Sequence, residues 1–334
     1  MNKDISTVFA GLHLKSPVIV GSSGLTGSTK LLKAFEENGA GAIVLKSIFE
    51  EEIMFEYGEY LKEAEKYGYD NEFLDYFDYK IKEDNIQKYI KLIKDAKDTV
   101  SIPVIASVNC VSTHEWTFFA KKIEEAKADA LEVNIFLLPS DNKKTSAEIE
   151  KTYIDIVKKV REATKLPLII KMSHYFTNIV EVVKKIADAG ADAIVMFNRH
   201  YNPDIDINSR ELTSGFVFSN PSEITYPLRW IALSYGKVKS QLAASTGIHD
   251  GEALVKVLLA GASAVEIAST LYKNGPKVIS EMNNFLADYL DKNKFNSLND
   301  IKGLVSQKNV KNPAAFERVQ FMRYYSDNDT NINY

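Results

Sequence analysis

Two kinds of short apolar run alternate along this chain, and both are typical of buried strands. Runs of the first kind follow a proline and cover residues 17–21, 103–107 and 167–171. Runs of the second kind follow a junction of small residues and cover 41–46, 129–134, 192–197 and 262–268. A less regular run, Gln241–Ser245, stands where a fourth run of the first kind belongs. Continuous β-branched runs predict strands buried on both faces of a parallel sheet.

The segments between these runs repeat apolar residues three and four positions apart, which predicts helices. Residues 30–38, 180–189 and 253–260 are the clearest, and a glycine that can end a helix follows each of them. Eight strands in four β-α-β-α units predict an α/β fold, a (β/α)8 TIM barrel. An open doubly wound sheet is the alternative. Such a sheet would usually carry a longer glycine-rich fingerprint than Gly21-Ser-Ser-Gly24 after its first strand.

Two long insertions interrupt this pattern, after the second and the sixth strand. Residues 47–100 are rich in Glu, Lys, Tyr and Phe, and we expect them to be partly helical; residues 199–240 form the other insertion. Both leave from the carboxyl end of a strand, where barrels build their functional sites. We expect a single barrel domain over residues 1–325 and a polar tail over 326–334.

Composition excludes several classes of protein. The 334 residues are 45% hydrophobic, enough for a large core, and the net charge of −4 gives no broad basic surface for nucleic acid. A single cysteine, Cys110, excludes an intrachain disulfide and a cysteine-rich zinc or iron–sulfur site within this chain, and we predict no metal site. No apolar signal core and no run long enough to span a membrane is visible. We therefore expect a cytoplasmic protein without a membrane partner.

Polar or small residues follow nearly every predicted strand, although a plain barrel needs none there. They are Ser22, Ser23, Lys46, Ser47, Asn109, Asn134, Lys171, Asn198, Ser245, Thr246, Gly247, Ala268 and Ser269. The loops after the seventh and eighth strands of a barrel often bind phosphate through backbone N–H groups. Residues 245–247 and 268–269 therefore predict a phosphate-bearing cofactor, with a plain tight turn as the alternative.

The lysines and asparagines among these residues leave more than one chemistry open. Lys46 or Lys171 would suit a Schiff base, as in an aldolase, or a fixed charge beside an electron-rich ring. Amides at Asn134 and Asn198 would suit the carbonyl and N–H edges of a planar ring, or would cap the next helix or turn.

The same residues resemble the dihydroorotate dehydrogenase family of FMN-dependent barrels over about residues 9–276. The resemblance lies in motifs that occur in order at matching strand ends: Leu45-Lys-Ser47, Ile105-Ala-Ser-Val-Asn109, Leu131-Glu-Val-Asn134, Ile170-Lys171 and Ser245-Thr-Gly-Ile248. Residues 197–206 and 313–318 look most similar to the branch called dihydroorotate dehydrogenase-like protein.

The resemblance implies FMN as the cofactor and a small planar amide or imide, dihydroorotate by default, as the substrate. It assigns Ser22 and Ser23 to the isoalloxazine ring, Lys46 and Ser47 to the ring or the ribityl chain, and Asn134 and Lys171 to the polar edge of the ring. It assigns the phosphate to Ser245, Thr246, Gly247, Ala268 and Ser269, and Asn109 and Asn198 complete the cofactor site. Asn134 and Asn198 would also hold the substrate. Hydride would pass to flavin N5 while Lys171 stabilises the reduced ring. The family also implies a homodimer.

The chain departs from the family pattern mainly where the substrate would bind. The family's loop after the fourth strand carries a Cys or Ser base, and Leu137 stands at that position here. Thr246 replaces the first glycine of the family's Thr-Gly-Gly. Cys110, His174 and His200 are the candidate replacement bases, although each histidine would also fit as a packed side chain.

Two rival functions therefore stay open. One is an FMN-binding or electron-carrying protein without dihydroorotate activity, and the other is a phosphate-sugar lyase that uses Lys171. The electron acceptor and a partner subunit also stay open.

Overall fold

Eight parallel strands form a closed barrel in the computed structural model, which describes residues 3–49, 71–109, 115–199 and 202–317. The barrel strands are β1 Val18–Val20, β2 Ala42–Val44, β3 Val104–Asn109, β4 Ala130–Ile135, β5 Leu168–Met172, β6 Ala193–Met196, β7 Gln241–Ser245 and β8 Ala264–Ile267. Each strand pairs with the next, and β8 pairs with β1 through Val265 and Val18. The ring is complete because β2 pairs with both β1 and β3. This confirms the (β/α)8 prediction and excludes the open sheet.

Helices follow the strands along the chain and cover the outside of the barrel. They are α1 Leu32–Glu37, α2 Asn71–Thr99, α3 Glu115–Glu125, α4 Ser146–Ala163, α5 Ile179–Asp188, α6 Thr225–Ser234, α7 Gly251–Ala260, α8 Ser269–Asn274, α9 Lys277–Lys292 and α10 Leu298–Ile301. Local capping sets several ends: the Asp250 side chain accepts a hydrogen bond from the Ala253 N–H at 2.8 Å and begins α7. The three helices predicted from periodicity end within two residues of their predicted positions.

Both predicted insertions contain regular structure. After β2, the short strand Ile48–Phe49 pairs with β3, and α2 then returns to the barrel, as the partly helical prediction required. After β6, an antiparallel hairpin of Pro203–Asp206 and Glu211–Ser214 precedes α6. The second insertion thus includes the barrel's own sixth helix. The predicted tail at 326–334 lies outside the described residues.

The period-two alternation of strand side chains divides the buried core into two clusters. The larger cluster lies between the strands and the helices, and the smaller one fills the barrel interior with Ile19, Ile105, Ala130 and Ile169 among its members. Phe9, from an N-terminal hairpin of Thr7–Phe9 and Leu12–Leu14, also belongs to this interior cluster. The hairpin thus closes one end of the barrel with apolar side chains.

The next inward-facing positions along the strands are polar or charged. Ser107, Glu132 and Lys171 are buried and lie two residues after Ile105, Ala130 and Ile169, respectively, so they face the same way. Glu266 of β8 is also buried at this level. The barrel therefore changes from apolar to charged toward the carboxyl ends of its strands. Within the described part of the chain, no helix combines the length and apolar character needed to cross a membrane.

Candidate cofactor and active site

A cavity of about 400 Å³ opens at the carboxyl ends of the strands. Small-molecule sites in proteins commonly occupy about 300–1,000 Å³. The predicted site residues that line it are Ser22, Ser23, Lys171, Asn198, Ser245, Thr246, Gly247, Ala268 and Ser269. Further lining comes from β8 and from the insertion after β6, including Glu266, Arg199, Val217, Phe218 and Ser219. The structure thus brings residues from β1, β5, β6, β7 and β8 together around one volume.

The floor of this cavity carries a buried ion pair. Lys171 Nζ donates to Glu266 Oε2 at 2.6 Å, and both residues line the cavity. Glu132 Oε1 lies 3.7 Å from the same ammonium, on the neighbouring strand β4. A cation and two carboxyl groups therefore share the barrel interior directly below the cavity.

The surroundings of Glu132 and Lys171 raise the pKa of both groups. Burial and repulsion from Glu266 raise the pKa of Glu132 well above its usual range. Burial opposes the charge on Lys171, but attraction to Glu132 and Glu266 outweighs burial and raises the pKa of the lysine. Lys171 is therefore a permanent cation at neutral pH, whereas Glu132 favours its neutral acid form.

A chain of hydroxyl groups runs from the cavity wall to Glu132. Ser22 Oγ lies 3.0 Å from Ser47 Oγ, which lies 2.8 Å from Ser107 Oγ. Ser107 Oγ donates in turn to Glu132 Oε1 at 3.4 Å. The Tyr89 hydroxyl holds this strand in place, because it accepts from Ser107 N–H at 2.7 Å. Ser47 therefore contacts the site through Ser22 and is not part of the cavity wall.

The turn after β7 has the backbone expected of a close approach to a ligand. Thr246 and Gly247 have φ angles of +79° and +80°, in the left-handed region that glycine tolerates best. A Cβ on Gly247 would lie only 2.1 Å from the backbone N of Ile224. Across the cavity wall, Ser269 Oγ accepts from Ser219 N–H at 3.0 Å. Main-chain constraints therefore fix the shape of this end of the cavity.

Two amides meet at the ends of β4 and β6. Asn198 Nδ2 donates to Asn134 Oδ1 at 2.7 Å, and Asn134 lies in register with Lys171 on the adjacent strands β4 and β5. Asn198 lines the cavity, and the buried Asn134 supports it from behind. Two other predicted site residues do not line the cavity. Asn109 is paired in register with Phe49, and the side chain of Lys46 lies beside Gly27.

The region of the missing base is apolar and aromatic. Leu137 is partly buried against the core, and its N–H donates to the Tyr153 hydroxyl at 3.2 Å. The His174 ring centroid lies 4.4 Å from that of Tyr175 and 5.9 Å from that of Phe197, and burial lowers the pKa of His174. The other candidate bases, Cys110 and His200, lie outside the described residues.

The cavity suits FMN in both volume and chemistry. Hydroxyl groups and a left-handed turn at the ends of β7 and β8 match the needs of a phosphate group. The floor offers an ammonium and a carboxylate, and among the described residues Oε1 of the buried Glu266 has no hydrogen-bond partner. A ring with N–H and carbonyl edges would meet these groups and the amide of Asn198.

Sequence reasoning missed the two glutamates of the floor. Both sit inside otherwise apolar strand runs, at Leu131-Glu-Val133 and Val265-Glu-Ile267. A charge in the middle of a strand buried on both faces is rare unless it has a partner, and that signal would have found them.

Comparisons with known proteins agree with this architecture. The sequence matches the model of the family described as "Dihydroorotate dehydrogenase" over residues 4–290. A relative from Thermoplasma volcanium, named dihydroorotate dehydrogenase B (NAD(+)), catalytic subunit, is 29% identical over 322 residues, which cover 91% of this chain and 99% of the relative. A relative with the same name from Brachyspira hyodysenteriae is 29% identical over 308 residues, covering 88% and 96%.

A solved structure shows the same fold. DHODH from Eimeria tenella, in complex with ferulenol, aligns with a TM-score of 0.62 at 16% identity and covers 90% of this chain and 88% of its own. Since the family match spans most of the sequence and the fold agrees, the chain belongs to the dihydroorotate dehydrogenase family of FMN-dependent oxidoreductases.

Proposed function

We propose that this chain oxidises dihydroorotate, or a related small planar amide or imide, with FMN bound in the cavity as the immediate electron acceptor. The observation that carries this proposal is the charged floor, where Lys171 Nζ lies 2.6 Å from Glu266 below a cavity walled by hydroxyls and an amide. The names of the relatives, which specify dihydroorotate dehydrogenase, support this substrate.

Each wall of the cavity has a part in holding the cofactor. Residues 245–247 and 268–269 would hold the phosphate, and Ser22 and Ser23 would border the ring. Lys171 would stabilise negative charge on the polar edge of the ring, because a fixed ammonium already stands there before reaction. Bound FMN supplies the chemistry of hydride acceptance at N5.

Asn198 and Asn134 would orient the substrate. An amide side chain offers both a donor and an acceptor, which complements the N–H and carbonyl edges of an imide. Their mutual hydrogen bond of 2.7 Å fixes the Asn198 side chain before a substrate arrives. Such fixed positioning lowers the entropic cost of bringing a substrate C–H bond to the cofactor.

His174 is the base we assign to proton removal. Leu137 cannot accept a proton, whereas the lowered pKa of His174 keeps its imidazole neutral and able to accept one at neutral pH. His174 follows β5 three residues after Lys171, and its ring contacts Phe197, the neighbour of Asn198. The imidazole therefore stands at the same end of the barrel as the amide pair.

The surroundings of Lys171 argue against the phosphate-sugar lyase alternative. A lysine that forms a Schiff base must lose its proton readily, which requires a lowered pKa. The two carboxyl groups around Lys171 act in the opposite direction and raise its pKa. The oxidoreductase chemistry of the family leaves Lys171 its role as a fixed cation.

One observation favours the second candidate function, a flavoprotein that binds FMN or carries electrons without oxidising dihydroorotate. Leu137 places an apolar side chain where the family keeps its base. Anaerobic mixing of the FMN-loaded protein with dihydroorotate separates the two. We expect loss of the oxidised flavin absorbance. A flavin that only dithionite bleaches would contradict the proposed substrate and support the second function.

The names of the relatives also suggest an acceptor. They describe a catalytic subunit that works with NAD(+). We propose NAD+ as the final acceptor, reached through a partner subunit with its own redox cofactor. The homodimer and the cytoplasmic location remain predictions.

A further inference from the structure

The charged floor contains more acid than its lysine needs. Lys171 Nζ contacts Glu266 Oε2 at 2.6 Å and lies 3.7 Å from Glu132 Oε1. The relative exposures of Lys171, Glu266 and Glu132 are 7%, 2% and 0%. Lys171 and Glu266 line the cavity, whereas Glu132 lies behind them. One cation thus faces two carboxyl groups, of which one borders the cofactor's space.

A buried group of this composition keeps one proton on a carboxyl. Two ionised glutamates beside one ammonium would leave a net negative charge away from water, which is costly. Among the described residues, Glu132 Oε2 and Glu266 Oε1 each lack a hydrogen-bond partner. A proton on one carboxyl that is shared with the other would satisfy both oxygens, in the way that paired carboxyls share a proton in other buried sites.

The geometry identifies which carboxyl is neutral. Glu266 has the short contact of an ion pair with Lys171, whereas Glu132 is more than 1 Å farther from the ammonium and is completely buried. Glu132 also accepts only a long bond, 3.4 Å, from Ser107 Oγ. Glu266 is therefore the carboxylate and Glu132 the acid.

This arrangement changes what the cavity offers to FMN. A bare ammonium at the floor would favour the reduced cofactor, because reduction adds negative charge to the ring. A carboxylate 2.6 Å from that ammonium would oppose its field at a bound ring. The floor thus stabilises reduced FMN less than a lone lysine would.

We propose that Glu266, ionised and paired with Lys171, lowers the reduction potential of bound FMN, and that Glu132 stands beside the pair as a neutral acid. The part that concerns FMN rests on the proposed function. The protonation of Glu132 does not, since it follows from the side chains of this chain alone.

Reduction potentials of the FMN-loaded protein test the assignment with a matched pair of substitutions. Glu132→Gln/Glu266→Gln removes the compensating charge and leaves no second carboxyl that can ionise beside Lys171. We expect reduced FMN to bind this double variant at least tenfold more tightly, relative to oxidised FMN, than it binds Glu132→Gln. For a two-electron couple, this is a rise of about 30 mV in potential for each factor of ten. Glu132→Gln replaces a neutral acid by a neutral amide, and we expect less than a threefold change. Glu266→Asp keeps the charge and should stay close to the wild-type potential.

Two results would overturn this proposal: an unchanged potential in Glu132→Gln/Glu266→Gln, or an equal rise in Glu132→Gln alone. A second measurement does not need FMN. In the infrared difference spectrum between the cofactor-free wild type and Glu132→Gln, we expect the C=O band of a protonated carboxylic acid. A spectrum that shows only a carboxylate band contradicts the assigned protonation. Failure of the wild type to bind FMN would instead contradict the proposed function.

Discussion

Two regions at the carboxyl ends of the barrel strands are built on different principles. The proposed cofactor side, at the ends of β7 and β8, presents hydroxyl groups around a left-handed turn at Thr246 and Gly247. The proposed substrate side, outside the cavity wall at the ends of β4 and β5, combines the partly buried Leu137 with the aromatic contacts of His174. Backbone shape defines the first side, and side-chain identity defines the second.

This difference explains how the chain keeps one half of the family pattern and departs from the other. A change on the cofactor side meets main-chain atoms, because a Cβ on Gly247 would lie 2.1 Å from the backbone N of Ile224. A change at Leu137 alters only a side chain whose surroundings are already apolar. The barrel can therefore keep the shape of the proposed cofactor side while the side chains of the proposed substrate side change.

The largest expected effect concerns the substrate side. His174→Gln should slow the reduction of bound FMN by dihydroorotate by about 10²–10⁴-fold, the usual contribution of a general base. The affinity for FMN should not change, because His174 lies outside the cavity wall. Stopped-flow mixing measures the reduction rate, and fluorescence titration measures FMN binding.

A matched variant and a pH profile separate catalysis from packing. His174→Phe keeps a ring beside Tyr175 and Tyr226, so its folding should resemble the wild type while its reduction rate falls like that of His174→Gln. Since burial lowers the pKa of His174, the wild-type rate should hold down to the usual imidazole pKa and fall only at lower pH. A normal rate in His174→Phe would leave His174 with a packing role alone.

The sequence allowed most of the barrel to be predicted because its strand signals are local. Proline or small residues precede most of the apolar runs, and all eight runs match their strands to within two residues at either end, as run 17–21 matches β1. Closure of the barrel was harder to predict, since it depends on pairing between strands that a long insertion separates. Ile43 of β2 pairs with Val104 of β3, and neither residue signals the other.

The composition of the cavity floor could not be predicted for the same reason. Lys171 attracted attention because it follows a strand, but its partners Glu132 and Glu266 come from distant strands. An isolated glutamate in an apolar run shows that a partner is needed and does not show which one. Only the closed barrel brings the three inward-facing positions together.

The next effect tests whether backbone shape governs the cofactor side. Gly247→Ala adds a Cβ that meets the backbone at Ile224 and Glu223, so the turn must move. We expect the dissociation constant of FMN to rise at least tenfold, or about 1.4 kcal/mol in binding free energy. Gly11→Ala is the matched control, since Gly11 has a similar φ of +76° but nothing within 4 Å of the added Cβ. Equal FMN affinity in both variants would show that the turn tolerates displacement.

The smallest effect concerns strain in the same turn. Thr246 has a φ of +79°, which costs an L-residue about 1–2 kcal/mol, and its Oγ1 donates to the Phe197 carbonyl at 3.2 Å. Thr246→Val keeps the strain and loses the hydrogen bond. Thr246→Gly loses the hydrogen bond too, but it removes the strain. Glycine also gives the unfolded chain more conformational freedom, which costs about 0.4–1 kcal/mol of stability. Urea unfolding should therefore find Thr246→Gly more stable than Thr246→Val by about 1 kcal/mol. If Thr246→Val is the more stable variant, the left-handed conformation at residue 246 is not strained in this chain. Backbone strain would then not distinguish the cofactor side from the substrate side.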